Sequence, residues 1–147
     1  MKVTEKHIQA ALMYWIIGKQ HPYIIPNSNT FFAWEADLLS IQRSGTVHEY
    51  EIKLNIHDFK EDAKKRKHLL MPSHASPAYF WYATYNFDIQ PPEKAGWLYI
   101  NENWDVEVMK KAPRLNNWKI DKRREEMIGR LLTYRLFNTY RKYIDNE

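Results

Sequence analysis

Apolar residues recur at Ile8, Ala11, Leu12, Trp15 and Ile16, the three-and-four spacing of one buried helical face. Thr4 is suited to cap that helix, which the spacing carries to about Lys19, and Gly18 through Pro22 end it. Tyr23-Ile24-Ile25 predicts a short strand and Pro26-Asn27-Ser28-Asn29 a loop. From Trp34 to Lys53 the pattern changes to two strands joined by a turn at Ser44-Gly45. Asn55 can cap a second helix, Ile56 to about Leu70, with a narrow apolar face of Phe59, Ala63 and Leu70. Pro72 to Pro77 form a break. Tyr79–Tyr85 is apolar or aromatic on both faces, as in a strand covered on both sides. Gly96–Ile100 and Asp105–Met109 predict two further strands around an Asn-rich turn. A last helix, about Asp121 to Ile144, shows an inner stripe of Met127, Ile128, Leu131, Leu132 and Tyr134 or Arg135. Helices alternating with strands in this order predict one α/β domain over residues 1–147, a central mixed sheet flanked by helices.

Within Trp34–Lys53, WEADLLSIQRSGTVHEYEIK, charges stand where a buried sheet excludes them. Side chains two apart on a strand share a face, roughly 7 Å apart. Glu35 and Asp37 therefore point one way, as do Glu49, Glu51 and Lys53. Trp34, Ala36, Leu38, Tyr50, Ile52 and Leu54 are left for the core. A hairpin can bring Asp37, Glu51 and Lys53 to one edge of the sheet. Crowded carboxylates repel one another and call for a cation. Mg²⁺ takes oxygen ligands, uses one or two carboxylates and keeps positions for water and phosphate. The bland alternative is an exposed hairpin with surface ion pairs.

Asp37, followed after a hairpin by Glu51-Ile52-Lys53, resembles the D…ExK signature of the PD-(D/E)XK nuclease superfamily, the restriction-endonuclease-like fold. The longer run WEADLLSIQRSGTVHEYEIKLNIHDFKEDAKKRKH, Trp34–His68, is similar to small phage-borne or bacterial members. Ala36 stands where the superfamily usually has Pro, and leaves Asp37 available. The resemblance implies a Mg²⁺- or Mn²⁺-dependent deoxyribonuclease. Asp37 and Glu51 would bind the metal, and Lys53 would assist the attacking water. Glu5 has two readings: an extra metal ligand, as the opening helix supplies in some members, or a first-turn acid on the helix dipole.

Composition narrows the setting. The chain has 147 residues, 44% hydrophobic and 15% aromatic, enough for a sizeable core. It has no cysteine, which excludes disulfides and thiolate metal sites and suits a reducing compartment such as the cytoplasm. The apolar stretch Ala10–Ile17 is too short to span a bilayer, and no membrane association is expected. His48, His57, His68 and His74 form no HxxxH or HExxH pattern, which argues against zinc.

The net charge of +4 permits an anionic partner. Lys60, Lys64, Lys65, Lys67 and His68 make the second helix basic, either as a solvated face or as contacts for DNA phosphates. From Lys110 onward eleven Lys and Arg stand against five Asp and Glu, so the last helix reads either as a packing helix with a basic outer face or as one that grips a DNA backbone or a partner subunit. A short catalytic domain often needs a second subunit to cut both strands, which leaves room for a homodimer. The rival functions are a non-catalytic nucleic-acid-binding module and a phage structural or assembly protein of the same fold.

Overall fold

Hydrogen-bonded strands form where the alternating and apolar runs lie, and they join one sheet in chain order. The computed structural model describes residues 1–29, 31–32, 34–62 and 76–145. Its elements are α1 (Glu5–Ile17), β1 (Tyr23–Ser28), β2 (Ala36–Ile41), β3 (Val47–Lys53), α2 (Ile56–Asp62), β4 (Tyr79–Tyr85), β5 (Gly96–Ile100), β6 (Val106–Lys110) and α3 (Lys122–Asp145). The sheet order is β1-β2-β3-β4-β5-β6. β1–β2, β2–β3 and β5–β6 pair antiparallel, while β3–β4 and β4–β5 pair parallel. The fold is thus α/β with an open six-stranded mixed sheet. Pro26, expected in a loop, instead lies within β1. An edge strand tolerates a residue that cannot donate to the ladder.

Local chemistry explains the joints. The β2–β3 turn closes on Gly45, whose φ of 89° suits glycine, and an added Cβ would sit 3.0 Å from the Ile120 carbonyl. Asn55 Oδ1 accepts from Asp58 N–H at 2.9 Å and caps α2 as expected. Asp121 Oδ1 does the same for Arg124 N–H at 2.8 Å at the start of α3. The second predicted helix is described only as Ile56–Asp62; Lys64, Lys65, Lys67 and His68 lie outside the described residues. Among the described residues no helix is long and apolar enough to cross a membrane.

Both faces of the sheet are covered. On one, Ile8, Ala11, Leu12 and Ile16 of α1 pack against Leu38, Tyr50, Ile52, Trp81, Ala83 and Leu98. On the other lie two separate clusters. Ile25, Leu39, Ile41 and Val47 pack with Ile128 of α3, and Leu131 and Leu132 pack on that group. Phe59 of α2 packs with Phe80, Tyr82, Ile89 and Trp97. The acid-bearing positions of β3 lie between these two clusters. Met127 departs from the predicted inner stripe, being exposed, and of the alternatives Tyr134 and Arg135 it is Arg135 that turns inward, to the Pro26 and Asn27 carbonyls. The inward face of α3 is therefore narrower than its apolar content suggests.

A polar network runs through the α1 face near the hairpin. Ser40 Oγ lies 2.8 Å from both His21 Nδ1 and the Tyr50 hydroxyl. Trp81 Nε1 can only donate, so His48 Nδ1 accepts from it at 3.1 Å. His48 Nε2 then carries the proton and donates to Gln42 Oε1 at 3.0 Å. Burial, with His21, Arg114 and Lys19 close by, pushes the His48 imidazole down to about 3. Its folded value lies below the ordinary 6.5, so the stabilisation is present above pH 6.5 and is lost as pH falls toward 3. We expect the His48 ring proton signals to stay in their neutral positions down to pH 4.5 by NMR, and His48→Gln to flatten the acid limb of the stability profile. A His48 titration near pH 6.5 in the folded protein would contradict this tautomer and its burial.

Candidate active site

β2 and β3 set the two carboxylates beside each other. Leu38 pairs with Tyr50 and Leu39 with Glu49, and directly paired residues share a face. One step further along the same register, Asp37 falls beside Glu51. The described ladder ends at Leu38–Tyr50. The next main-chain donor, Ile52 N–H, goes to Asp37 Oδ2 at 2.8 Å. The Asp37 carboxylate thus takes the place of a main-chain acceptor where the two strands end their pairing, and this bond fixes its orientation. Gln9 of α1 braces the same residue from the other side, donating through Nε2 to the Asp37 carbonyl at 2.8 Å.

Lys53 completes the group. Its Nζ lies 3.2 Å from Glu51 Oε1 and 3.1 Å from Asp62 Oδ1. Lys53 and Glu51 are almost fully buried and Asp62 is wholly so. Tyr82, paired with Glu51 across β3–β4, donates its hydroxyl to Asp62 Oδ2 at 2.6 Å. Burial pushes the Tyr82 hydroxyl far above its ordinary value, and the Asp62 bond adds to this, so it remains a donor. Glu49, one position further from the open end, receives Trp34 Nε1 at 2.9 and 3.1 Å.

The structure therefore brings Asp37, Glu51 and Lys53 to one face and adds Asp62, an acid on a helix whose charge alone predicts a solvent-facing position. Asp62 lies one helical turn from Phe59, on the face that meets the sheet, and Lys53 with Tyr82 is what makes its burial tolerable. Trp34 also departs from expectation. The regular strand begins only at Ala36, so alternation does not extend back to it, and its indole turns to the Glu49 face. Glu5 stands in the first turn of α1, half-buried, one turn before Gln9. Lys60 is exposed on α2.

Asp37 and Glu51 supply hard oxygen donors, the ligand chemistry of Mg²⁺ or Mn²⁺, and two carboxylates on one face match the small protein share that Mg²⁺ uses. Among the described residues no group of three or more His, Cys, Asp and Glu is gathered closely enough to hold a metal. Asp37 and Glu51 are the carboxylates that the strand register sets beside each other.

The fold is shared with a solved protein. The SPO1766 protein of unknown function from Silicibacter pomeroyi superposes with a TM-score of 0.65, covering 99% of this chain and 95% of its own, at 16% identity. Likeness at that identity establishes the architecture, an α/β fold with a mixed sheet between helices. No protein-family model matches the chain, and no curated protein does.

Proposed function

We propose that the chain is a divalent-cation-dependent nuclease that hydrolyses phosphodiester bonds of DNA. The observation that carries this reading is the placement of Asp37, Glu51 and Lys53 on one face where the β2–β3 ladder ends. A bound Mg²⁺ or Mn²⁺ would polarise a phosphoryl oxygen and acidify a water. Asp37 and Glu51 hold the oxygens for it, the first oriented by Ile52 N–H and the second by Lys53. Lys53 is the cation that can orient the water and offset charge growing on the phosphoryl group. Its ion pair with Asp62 holds the ammonium in place. Glu5 is proposed only as an outer acid of the same site. Lys60 is a candidate phosphate contact on α2, and Lys64, Lys65, Lys67 and His68 extend that proposal by sequence alone.

The test is incubation of single-stranded, double-stranded and branched DNA with Mg²⁺ or Mn²⁺, against EDTA. Cleavage of at least one substrate that EDTA abolishes is expected. No cleavage of any of them, with either metal, contradicts the proposal.

A second reading rests on the Glu51–Lys53–Asp62 arrangement. A lysine held by two buried carboxylates is also how a fold neutralises acids it uses structurally. On that reading the chain is a nucleic-acid-binding or assembly module of the same fold. Both readings allow binding, which should weaken steeply with salt as phosphate contacts release counterions. Reversing the charges of Lys64, Lys65 and Lys67 should lower affinity alike for unrelated sequences. Affinity indifferent to salt in a filter-binding series would remove the basic surface from the account.

A further inference from the structure

The C-terminal half of α3 carries an apolar face that stays exposed among the described residues. Ile128 is buried in the sheet cluster and Leu131 and Leu132 pack on it, but these lie in the first half of the helix. Beyond Arg135, the side chains of Leu136, Phe137, Tyr140, Tyr143 and Ile144 are between 50% and 68% exposed. Their spacing is i, i+1, i+4, i+7, i+8, a single helical stripe. It is turned by more than a third of a turn, at about 100° per residue, from the Ile128–Leu132 face. Scattered exposed apolar residues are ordinary, whereas a continuous stripe of this size marks an interface.

We propose that this stripe is the contact between two copies of the chain. At roughly 200 Å² for a large side chain, the exposed fractions of these five amount to about 600 Å² per copy. Stable interfaces take about 800 Å² from each partner, and the flanking Thr133, Arg141 and Asp145 can supply the rest. The stripe is short, continuous and centred on Tyr140, so a twofold axis beside Tyr140 sets it against itself. Its rim carries Arg141 and Lys142 as well as Asp145: Arg141 Nε lies 3.1 Å from Asp145 Oδ2, and Lys142 Nζ lies 5.3 Å from the centre of the Tyr143 ring. A mixed rim suits a second protein surface, while DNA phosphates or an anionic membrane call for a rim of one sign. The proposal does not depend on the nuclease reading.

Sedimentation equilibrium of the full chain tests it. The wild type should populate a dimer, and Phe137→Glu combined with Tyr140→Glu should raise the dissociation constant at least about 30-fold, the loss of one strong anchor or more. Circular dichroism of that variant should match the wild type, because both side chains are at least half exposed. The chain has no cysteine, so single cysteines report contacts cleanly. Tyr140→Cys should give a disulfide-linked dimer on mild oxidation, whereas Tyr14→Cys, at an 85% exposed position on α1, should not. A wild type that remains monomeric at every concentration would overturn the proposal. So would a dimer that survives both glutamates, equal cross-linking at the two cysteine positions, or a monomer that binds phosphatidylglycerol vesicles through the stripe.

Discussion

Asp37→Ala and Glu51→Ala are each expected to reduce cleavage by roughly a thousandfold or more, the upper range for losing a group that stabilises transition-state charge. The expectation follows from how few protein ligands the site offers. On the proposed reading Asp37 and Glu51 are the protein ligands, and a cation held by two carboxylates cannot spare one. Mn²⁺ titration by calorimetry should show binding by the wild type and a large loss in either variant. The Asp37 change carries a further consequence: Ile52 N–H loses its acceptor, so a modest fall in melting temperature accompanies it. Asp37→Asn keeps an acceptor for that bond while removing the charge. It should therefore recover most of the melting temperature and none of the activity. Full metal binding by Asp37→Asn would remove Asp37 from the site.

Lys53→Ala is expected to act on the fold as well as on the reaction. Without the ammonium, two buried carboxylates lose the cation they share, and breaking such a group costs about 3–5 kcal/mol. The variant should melt well below the wild type in EDTA. Metal should still bind, and more tightly, because the acids gain a need for positive charge when the lysine is gone. A cation at 100 times its dissociation constant stabilises by about 2.7 kcal/mol, so Mn²⁺ should raise the melting temperature of Lys53→Ala more than that of the wild type. Activity per folded molecule should remain low, since the water and the charged phosphoryl group have lost their partner. Lys53→Ala melting like the wild type would contradict the buried ion pair. Lys53→Ala that is unstable yet fully active would leave Lys53 a structural residue.

Much of this was legible in the sequence. The six strands follow the apolar runs closely, because a half-buried or buried strand needs alternation or continuous apolar residues and little else. The shared face of Asp37, Glu51 and Lys53 was legible for the same reason: strand parity and a short hairpin leave little freedom. Parity failed at Trp34, two residues outside β2, where the chain is not extended in the sheet. Asp62 was hidden because a charged residue on a helix is by default solvent-facing. Only its register with Phe59 hinted otherwise, and Lys53 and Tyr82 come from strands that sequence spacing does not connect to α2. The outer aromatic stripe of α3 was masked by its basic surplus, since a count of charges along a helix does not report the angle at which they lie.

Single-turnover cleavage of one end-labelled DNA, with wild type and Asp37→Ala purified side by side, tests the central claim most directly. The account predicts Mg²⁺-dependent cleavage by the wild type that EDTA abolishes and that Asp37→Ala lacks. Equal cleavage by the two proteins, or none by the wild type with Mg²⁺ or Mn²⁺, would contradict it.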